Sequence, residues 1–315
     1  MSISHISTLS DTITHRPFSG DEDWWRIRQL LIETTPITPI EWNWEIRRWD
    51  GWRYHNPDSN LTPEWSRRIH LWETASGKLV GVVHPEGKGD VFLELHPDYR
   101  SLQEEMFAWA EEHLSIEMQD MGTQIETFVW DYDAPRRRVL RHRGWEPAGW
   151  SGVVRRLRFG GQALPPVTVD KGYRLRTVHT ADRDDCQRIA HLLNAAFGRS
   201  FHSAEEVYTF VTQSPSYRTD LDLVAEAPDG SLAALVGVTY DEINQRAIFE
   251  PVCTHPLHRR HGLARSLMFE GMHRARALGA LEITVATGDD LAANELYDSI
   301  GFTEAYTGRG WKKLV

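Results

Sequence analysis

Residues 254–264 read THPLHRRHGLA, and they join two patterns that decide the fold. The run RAIFEPVCT, residues 246–254, alternates as a strand does. Beyond Gly262, the positions Leu263, Leu267, Met268, Met272, Ala275 and Leu278 recur at helical spacing. The spacing predicts a helix from about Gly262 to Leu278, stopped by Gly279. Strand, short basic loop, glycine and amphipathic helix therefore follow one another. The first amides of a helix lack intrahelical partners and favour an anion. Gly262 permits a tight turn and a close ligand, and Ala264 leaves the first turn uncrowded. Arg259, Arg260 and Arg265 add positive charge around the amides. A solvated basic face is the other reading of the same run.

The surrounding chain has 315 residues, a length that favours two domains. A formal net charge of -10 argues against general attraction to nucleic acid or anionic membrane, so an anion site must be local. The N-terminal stretch MSISHISTLSDTITH has neither a basic region nor an apolar core, and no signal peptide is expected. No run is apolar enough to span a membrane. Cys186 and Cys253 cannot build a disulfide framework, which suits a reducing cytoplasm. Twelve of the 13 tryptophans precede residue 151, and packing of a core and an interdomain groove is their expected role.

A Gly- and Pro-rich stretch, GGQALPPVTVDKG at 160–172, divides the chain. After it, strands are predicted at YRLRTV, LDLVAEA, SLAALVGVTYDE and LEITVAT, with helices at ADRDDCQRIAHLLNAAF, SAEEVYTFV and LAANELYDSI. The closing FTEAYTGRGWKKL reads as an antiparallel pair. The first half echoes this order. His96, Pro97 and Arg100 answer His255, Pro256 and Arg259, and Gly144–Trp145 answers Gly301–Phe302. A period of about 158 residues predicts duplication of a whole domain. The copies differ after the arginine, because Gln103 and Glu105 stand where the second copy has Gly262 and Ala264. Bulk and negative charge there would repel a phosphate.

Other phosphate motifs are missing: there is no G-x-x-x-x-G-K-[ST] loop, and no glycine-rich run follows the first strand. His255, His258 and His261 lack the acidic or cysteine ligands of a zinc set, and no metal is expected.

Arg259-Arg260-His261-Gly262-Leu263-Ala264 resembles the acetyl-CoA signature Arg/Gln-x-x-Gly-x-Gly/Ala of the GCN5-related N-acetyltransferase (GNAT) superfamily. Ala293-Asn294-Glu295-Leu296-Tyr297, followed by Gly301-Phe302, resembles that superfamily's second mark. The resemblance covers about 172–315 well and about 14–158 mainly in architecture. It implies an α/β (α+β) fold of tandem acyl-CoA N-acyltransferase domains, each a mixed, mostly antiparallel twisted sheet flanked by helices. The expected organisation is a flexible tail (1–12), a degenerate domain without the acetyl-CoA loop (13–159), a linker (160–171) and a catalytic domain (172–315).

The resemblance implies acetyl-CoA as co-substrate, its diphosphate on the backbone from about Arg260 to Arg265, with Arg259 adjacent. The pantetheine arm would meet the backbone of Val252, Cys253 and Thr254, where Pro251 marks a bulge. Tyr297 would protonate the leaving thiolate, and Asn294 would bridge near the cofactor; Asp290 replaces an asparagine frequent in the family. Glu250 is the leading candidate base for a primary amine attacking directly in a ternary complex, ahead of Asp241 and Glu242. A half-buried aromatic and a sheet-edge charge are the plainer readings of Tyr297 and Glu250. Cys253 reads better as a packed residue than as a nucleophile.

The acceptor is expected to be a small-molecule amine or peptide, recognised by acidic residues and tryptophans of 41–72. A non-catalytic acyl-CoA-binding or structural protein is the alternative outside enzymes. A mycothiol-synthase-like acetyltransferase, which shares the tandem form, is the alternative within them. Neither nucleic acid nor membrane is an expected partner, and the protein is expected to be a cytoplasmic monomer or homodimer.

Overall fold

A computed structural model describes residues 12–55, 62–118, 122–180, 182–288 and 290–315. The expected tail over 1–12, Thr12 apart, lies outside the described residues. The first half runs β1 (Ile13–Pro17), α1 (Gly20–Thr34), α2 (Ile46–Tyr54), α3 (Pro63–Ser66), β2 (His70–Thr74), β3 (Leu79–His84) and β4 (Asp90–Leu95). It continues with α4 (Gln103–His113), β5 (Ile116–Met118), β6 (Gly122–Trp130), α5 (Ala134–His142) and β7 (Glu146–Arg158). The second half runs β8 (Arg174–Thr177), α6 (Arg183–Phe197), α7 (Ala204–Gln213), β9 (Asp222–Glu226), β10 (Leu232–Asp241) and β11 (Arg246–Thr254). It ends with α8 (Leu263–Ala277), β12 (Glu282–Thr287), α9 (Leu291–Ile300) and β13 (Glu304–Leu314). No helix of the described residues is long and apolar enough to cross a membrane.

Local chemistry sets these limits. Ser203 and Glu206 form a capping box that starts α7. Asp133 and Asp290 each accept a backbone N–H at the start of α5 and α9. Gly144 and Gly301, at φ 81° and 108°, turn the chain out of those same helices. The central β10 is buried along nearly its whole length because helices cover both faces. On one side Leu267 and Met272 of α8 pack with Val236 and Phe249. On the other, Ile189 and Leu193 of α6 pack with Leu235 and Cys253.

All strands join one mixed sheet, mostly antiparallel, in the order β1-β2-β3-β4-β6-β13-β7-β12-β11-β10-β9-β8, with β5 beside β6. Its parallel contacts are β4–β6 and β11–β12. The two halves thus exchange strands. β7 leaves the first half to pair with β12, and β13 leaves the second to pair with β6.

The antiparallel pair expected over the final residues is instead a single strand, β13, with both neighbours from the first half. Its glycines do not turn the chain. A Cβ on Gly308 would come within 2.6 Å of the Phe128 ring, and one on Gly310 would strike Trp150, so the glycines let β13 pass beneath aromatic rings.

The same ion network occurs in each half. Arg16 grips Asp23 through both terminal nitrogens (2.6 and 2.7 Å) and Glu73 through Nε (2.9 Å). Arg176 grips Asp185 (2.8 and 2.7 Å) and Glu226 (2.8 Å) in the same way. Asp23 also accepts the N–H of Ser19, as Asp185 accepts that of His179. Arg26 and Arg188 then reach the carbonyls of Gly77 and Gly230.

Candidate active site

The site is built where β11 and β12 part. Their pairing runs from Arg246↔Glu282 to Phe249↔Val285 and ends there. The β10–β11 register shifts at the same level, between Val236 and Val238. Gly237 makes that bulge feasible, since a Cβ on it would lie 2.5 Å from the Glu250 carbonyl oxygen. Past the bulge, His255 donates its N–H to Ala233 on β10 (2.8 Å). Successive amides alternate across a strand. Cys253 therefore faces β10, and Val252 and Thr254 turn their N–H groups toward the edge that β12 has left.

The first half shows what such an edge accepts. His96 donates to Val80 (2.8 Å) as His255 does to Ala233, so Leu95 also faces an opened edge. There the Asn43 carboxamide accepts the Leu95 N–H and donates to the Leu95 carbonyl, both at 3.0 Å.

At the end of β11, the His255 side chain accepts the N–H of Leu257 (3.2 Å) and starts a short 3-10 turn, Pro256–His258. Arg260 and Gly262 both take left-handed backbone, at φ 70°. Gly262 precedes α8, and a Cβ on it would point into open space. The loop is thus a concave run of backbone leading onto a helix start. Leu263 is buried and anchors the helix, Ala264 is half-buried, and Arg259, Arg260 and Arg265 are exposed. His261 Nδ1 meets Asp170 (2.6 Å), and Arg265 donates to the Ser299 hydroxyl (2.8 Å). His258 Nδ1 meets the Tyr173 hydroxyl (3.0 Å). Among the described residues, no group of three or more His, Cys, Asp and Glu could hold a metal.

Between the halves lies a cavity of about 1000 Å³. Glu250, Pro251, Val252, Asp290 and Tyr297 line it from the second half, and Glu41, Trp44, Glu45, Arg47, Trp52 and His55 from the first. The Glu250 side chain is exposed and opens into this cavity. The protein packed around it partly desolvates its carboxyl and raises it above the usual range, against the pull of Arg47, Arg48 and Arg199. Burial and the charge of Glu250 likewise raise the Tyr297 phenol, which stays protonated. Burial pushes the Cys253 thiol up to about 12, which removes it as a thiolate nucleophile. Asp241 is spent on the Asn244 side chain and backbone in the β10–β11 turn.

Asn294 is also spent. Its oxygen accepts from Arg155 Nε (2.8 Å), its nitrogen donates to the carbonyls of Asp290 (2.8 Å) and Gly288 (3.3 Å), and it does not line the cavity. In this structure Asn294 ties α9 to β7. Asp290, found where the family often has asparagine, accepts the Ala293 N–H (2.9 Å) and starts α9.

The comparisons with known proteins bear on this arrangement. Residues 186–302 match the model of the acetyltransferase (GNAT) family. By this match the segment is similar to GNAT proteins. Acetyl-CoA-dependent N-acetyl transfer is the activity typical of GNAT proteins. Among curated proteins none matches. The GNAT fold itself extends over the whole chain. A GCN5-related N-acetyltransferase from Sphaerobacter thermophilus is 18% identical, with a TM-score of 0.62 over 96% of this chain and 95% of that one. A tandem GNAT protein from the clavulanic acid biosynthesis pathway is 15% identical, with a TM-score of 0.63 over 96% and 98%. A GNAT-family acetyltransferase from Colwellia psychrerythraea is 12% identical, with a TM-score of 0.57 over 95% and 100%.

The GNAT segment supplies only part of the cavity wall. Sequence reasoning named the acidic residues of 41–72 only as a group and missed Arg47, His55 and Glu206. Arg47 is buried, donates to His55 Nε2 (2.9 Å) and lies 4.2 Å from the Phe210 ring centroid. Glu206 faces both His55 (3.3 Å) and His202 (3.0 Å), and burial holds His55 down at about 4. The tryptophans serve packing more than ligand stacking. Trp24 and Trp49 stack at 4.2 Å, and the rings of Trp42 and Trp44 already carry Arg100, Arg136 and Arg48.

Proposed function

We propose that this protein transfers an acetyl group from acetyl-CoA to a primary amine, by direct attack in a ternary complex within the cavity between its halves. The observation that carries this reading is a convergence. The edge opened at Glu250 leads straight into the left-handed loop before α8, and Glu250 and Tyr297 face one cavity.

The residues present fit an acyl-CoA. The free amides from about Arg260 to Arg265 suit a diphosphate, with Arg259 and Arg260 exposed beside them. The outward N–H groups of Val252 and Thr254 suit an amide-bearing arm, as Asn43 suits Leu95. Bound acetyl-CoA would supply the acyl group as a thioester. An ammonium must lose a proton before its nitrogen can attack, and Glu250 is the carboxylate that takes it, directly or through water. Tyr297 holds a proton at its hydroxyl, ready for a departing sulfur. The backbone N–H of Val252 is the donor best placed in the strand to meet a developing oxyanion.

We further propose a tandem origin, with 13–159 a copy that has lost its site, 160–171 a linker and 172–315 the catalytic copy. The repeated Arg–Asp–Glu network and the matching His96 and His255 turns support it. The equivalent positions have diverged: Val91 stands for Glu250, Gln103 for Gly262 and Leu140 for Tyr297. Leu140 is identified by the Trp145 N–H it accepts, as Tyr297 accepts that of Phe302.

Calorimetry with acetyl-CoA tests the reading. Saturable binding that Gly262→Trp abolishes is expected, and absence of binding would sink the assignment. Glu250→Gln should then lose turnover, followed as CoA release across an amine library, by about 10²-fold or more while still binding acetyl-CoA. Wild-type binding without turnover on any amine would favour a non-catalytic acyl-CoA-binding protein.

A further inference from the structure

We infer that the acyl acceptor carries a carboxylate as well as its amine, and that Arg47 of the N-terminal half receives that carboxylate. The inference rests on the transferase reading for the role of Glu250, which takes the proton of the reacting amine. It narrows the acceptor to an amino acid.

A buried arginine normally lies against a carboxylate, because an isolated charge out of water is costly. Among the described residues three arginines are buried: Arg47, Arg136 and Arg246. Arg136 lies 3.6 Å from Asp133, and Arg246 pairs with Glu41. Arg47 has no described carboxylate within the 4.0 Å of an ion pair. Its hydrogen bond runs from Nη2 to His55 Nε2 (2.9 Å). An arginine can only donate, so the His55 proton sits on Nδ1, 3.3 Å from Glu206, and this partner is a neutral imidazole. The remaining N–H groups of the guanidinium have no hydrogen-bonded partner among the described residues. Glu45, Asp50, Asp222 and Glu250 lend a favourable field from farther off, and Asp50 is itself taken by Arg28 (3.1 Å). A field softens the cost of a buried cation but gives its N–H groups nothing to bond.

The guanidinium is held in place and borders the cavity. A Cβ on Gly51, one turn along α2, would strike Arg47 Nη1, so that glycine makes room for it. The guanidinium carbon lies 4.2 Å from the centre of the Phe210 ring, and Glu206 of α7 steadies His55 beside it. Arg47 and Glu250 both line the large cavity, and both line a smaller one beside Phe210 and Tyr217. They are not paired with each other, so a ligand can lie between one cation and one anion. The other arginines of the large cavity do not compete. Arg48 is held by Glu86 (2.5 Å), Arg136 faces Asp133, and Arg199 is exposed against Phe197 and Phe201. Nine carboxylates share that wall with the four arginines, which favours a singly charged carboxylate over a doubly charged phosphate. The chemistry that fits is an amino acid, its amine at Glu250 and its carboxylate at Arg47.

The test titrates the full-length protein, with and without CoA, with α-amino acids, with straight-chain ω-amino acids and with the amines that lack only the carboxylate. In at least one matched pair the amino acid should bind about tenfold or more tighter than its amine, the worth of one charge-assisted contact. Arg47→Met should close that gap. Arg47→Lys, which keeps the charge without the planar fork, should narrow it, and decides the matter if the apolar variant does not fold. Amino acids that bind no tighter than their amines in the wild type overturn the inference, as does failure of both series to bind in either condition. An Arg47 variant that weakens both series equally also overturns it. So does a variant that weakens acetyl-CoA instead, which would put the guanidinium on the cofactor. Failure of acetyl-CoA to bind the wild type would sink the transferase reading, leaving the amino-acid titration to decide this one.

Discussion

The side chain of Asn43 is hydrogen-bonded twice to the backbone of Leu95, accepting its N–H and donating to its carbonyl, each at 3.0 Å. Asn43 is buried and also donates to Thr34 (2.8 Å), so the opened edge of β4 is sealed from within. Asn43→Ala strips partners from a buried N–H and carbonyl and should cost about 1–3 kcal/mol in denaturant unfolding. Because Gln103 stands where Gly262 would be needed, the variant should still bind one acetyl-CoA per chain. Calorimetric stoichiometry checks the second point.

Tyr297→Phe keeps the ring that packs with Phe302 and removes only the hydroxyl. Turnover should fall about 10–100-fold with little change in acetyl-CoA affinity, as expected for loss of a proton donor. Equal loss in binding and turnover would mark Tyr297 as packing alone.

Glu250 has a pKa raised by desolvation, and a base works only when ionised. The rate should therefore climb with pH through that raised value, on a limb that Glu250→Gln removes. Stability carries the opposite sign. A carboxyl whose folded pKa lies above its unfolded value contributes stability at low pH and loses it as pH rises through the folded value. Near pH 7, thermal unfolding of Glu250→Gln should thus occur at an equal or higher temperature than that of the wild type. A large destabilisation would point to a structural carboxylate.

Residues 172–315 expressed alone lack β7, the strand between β12 and β13. They should be insoluble or unfolded, and co-expression with 1–159 should restore a complex that binds acetyl-CoA. A well-folded isolated half would contradict the strand exchange.

How much of this was legible in the sequence followed the range of the interactions. The helices α6, α8 and α9 carry their own periodicity and stop signals, and they appear where the sequence places them. The left-handed turn at Gly262 and the start of α8 were legible because backbone conformation and helix start are local properties. β13 was not. TGRG looks like a turn until Phe128 and Trp150, more than 150 residues away, are laid over its glycines. The hydrogen bond of Asn294 to Arg155 was hidden for a similar reason, since Arg155 belongs to the other half. Glu45 lies in WNWEIRRWD, where dense tryptophans and charges drew attention to the stretch but could not say which side chains would line the cavity.

The strand exchange also bears on traffic. Two lobes joined by a linker alone could swing apart like a clamshell. Here β13 is laced to β6 from Gly308↔Trp130 to Leu314↔Gln124, and β7 is laced to β12 from Glu282↔Arg158 to Thr287↔Val153. Swinging would unzip a ladder on each side, and each buried backbone group left unpaired is expensive. The frame of the chamber is therefore fixed, and Phe197 and Phe201 stand exposed on its wall on either side of Arg199.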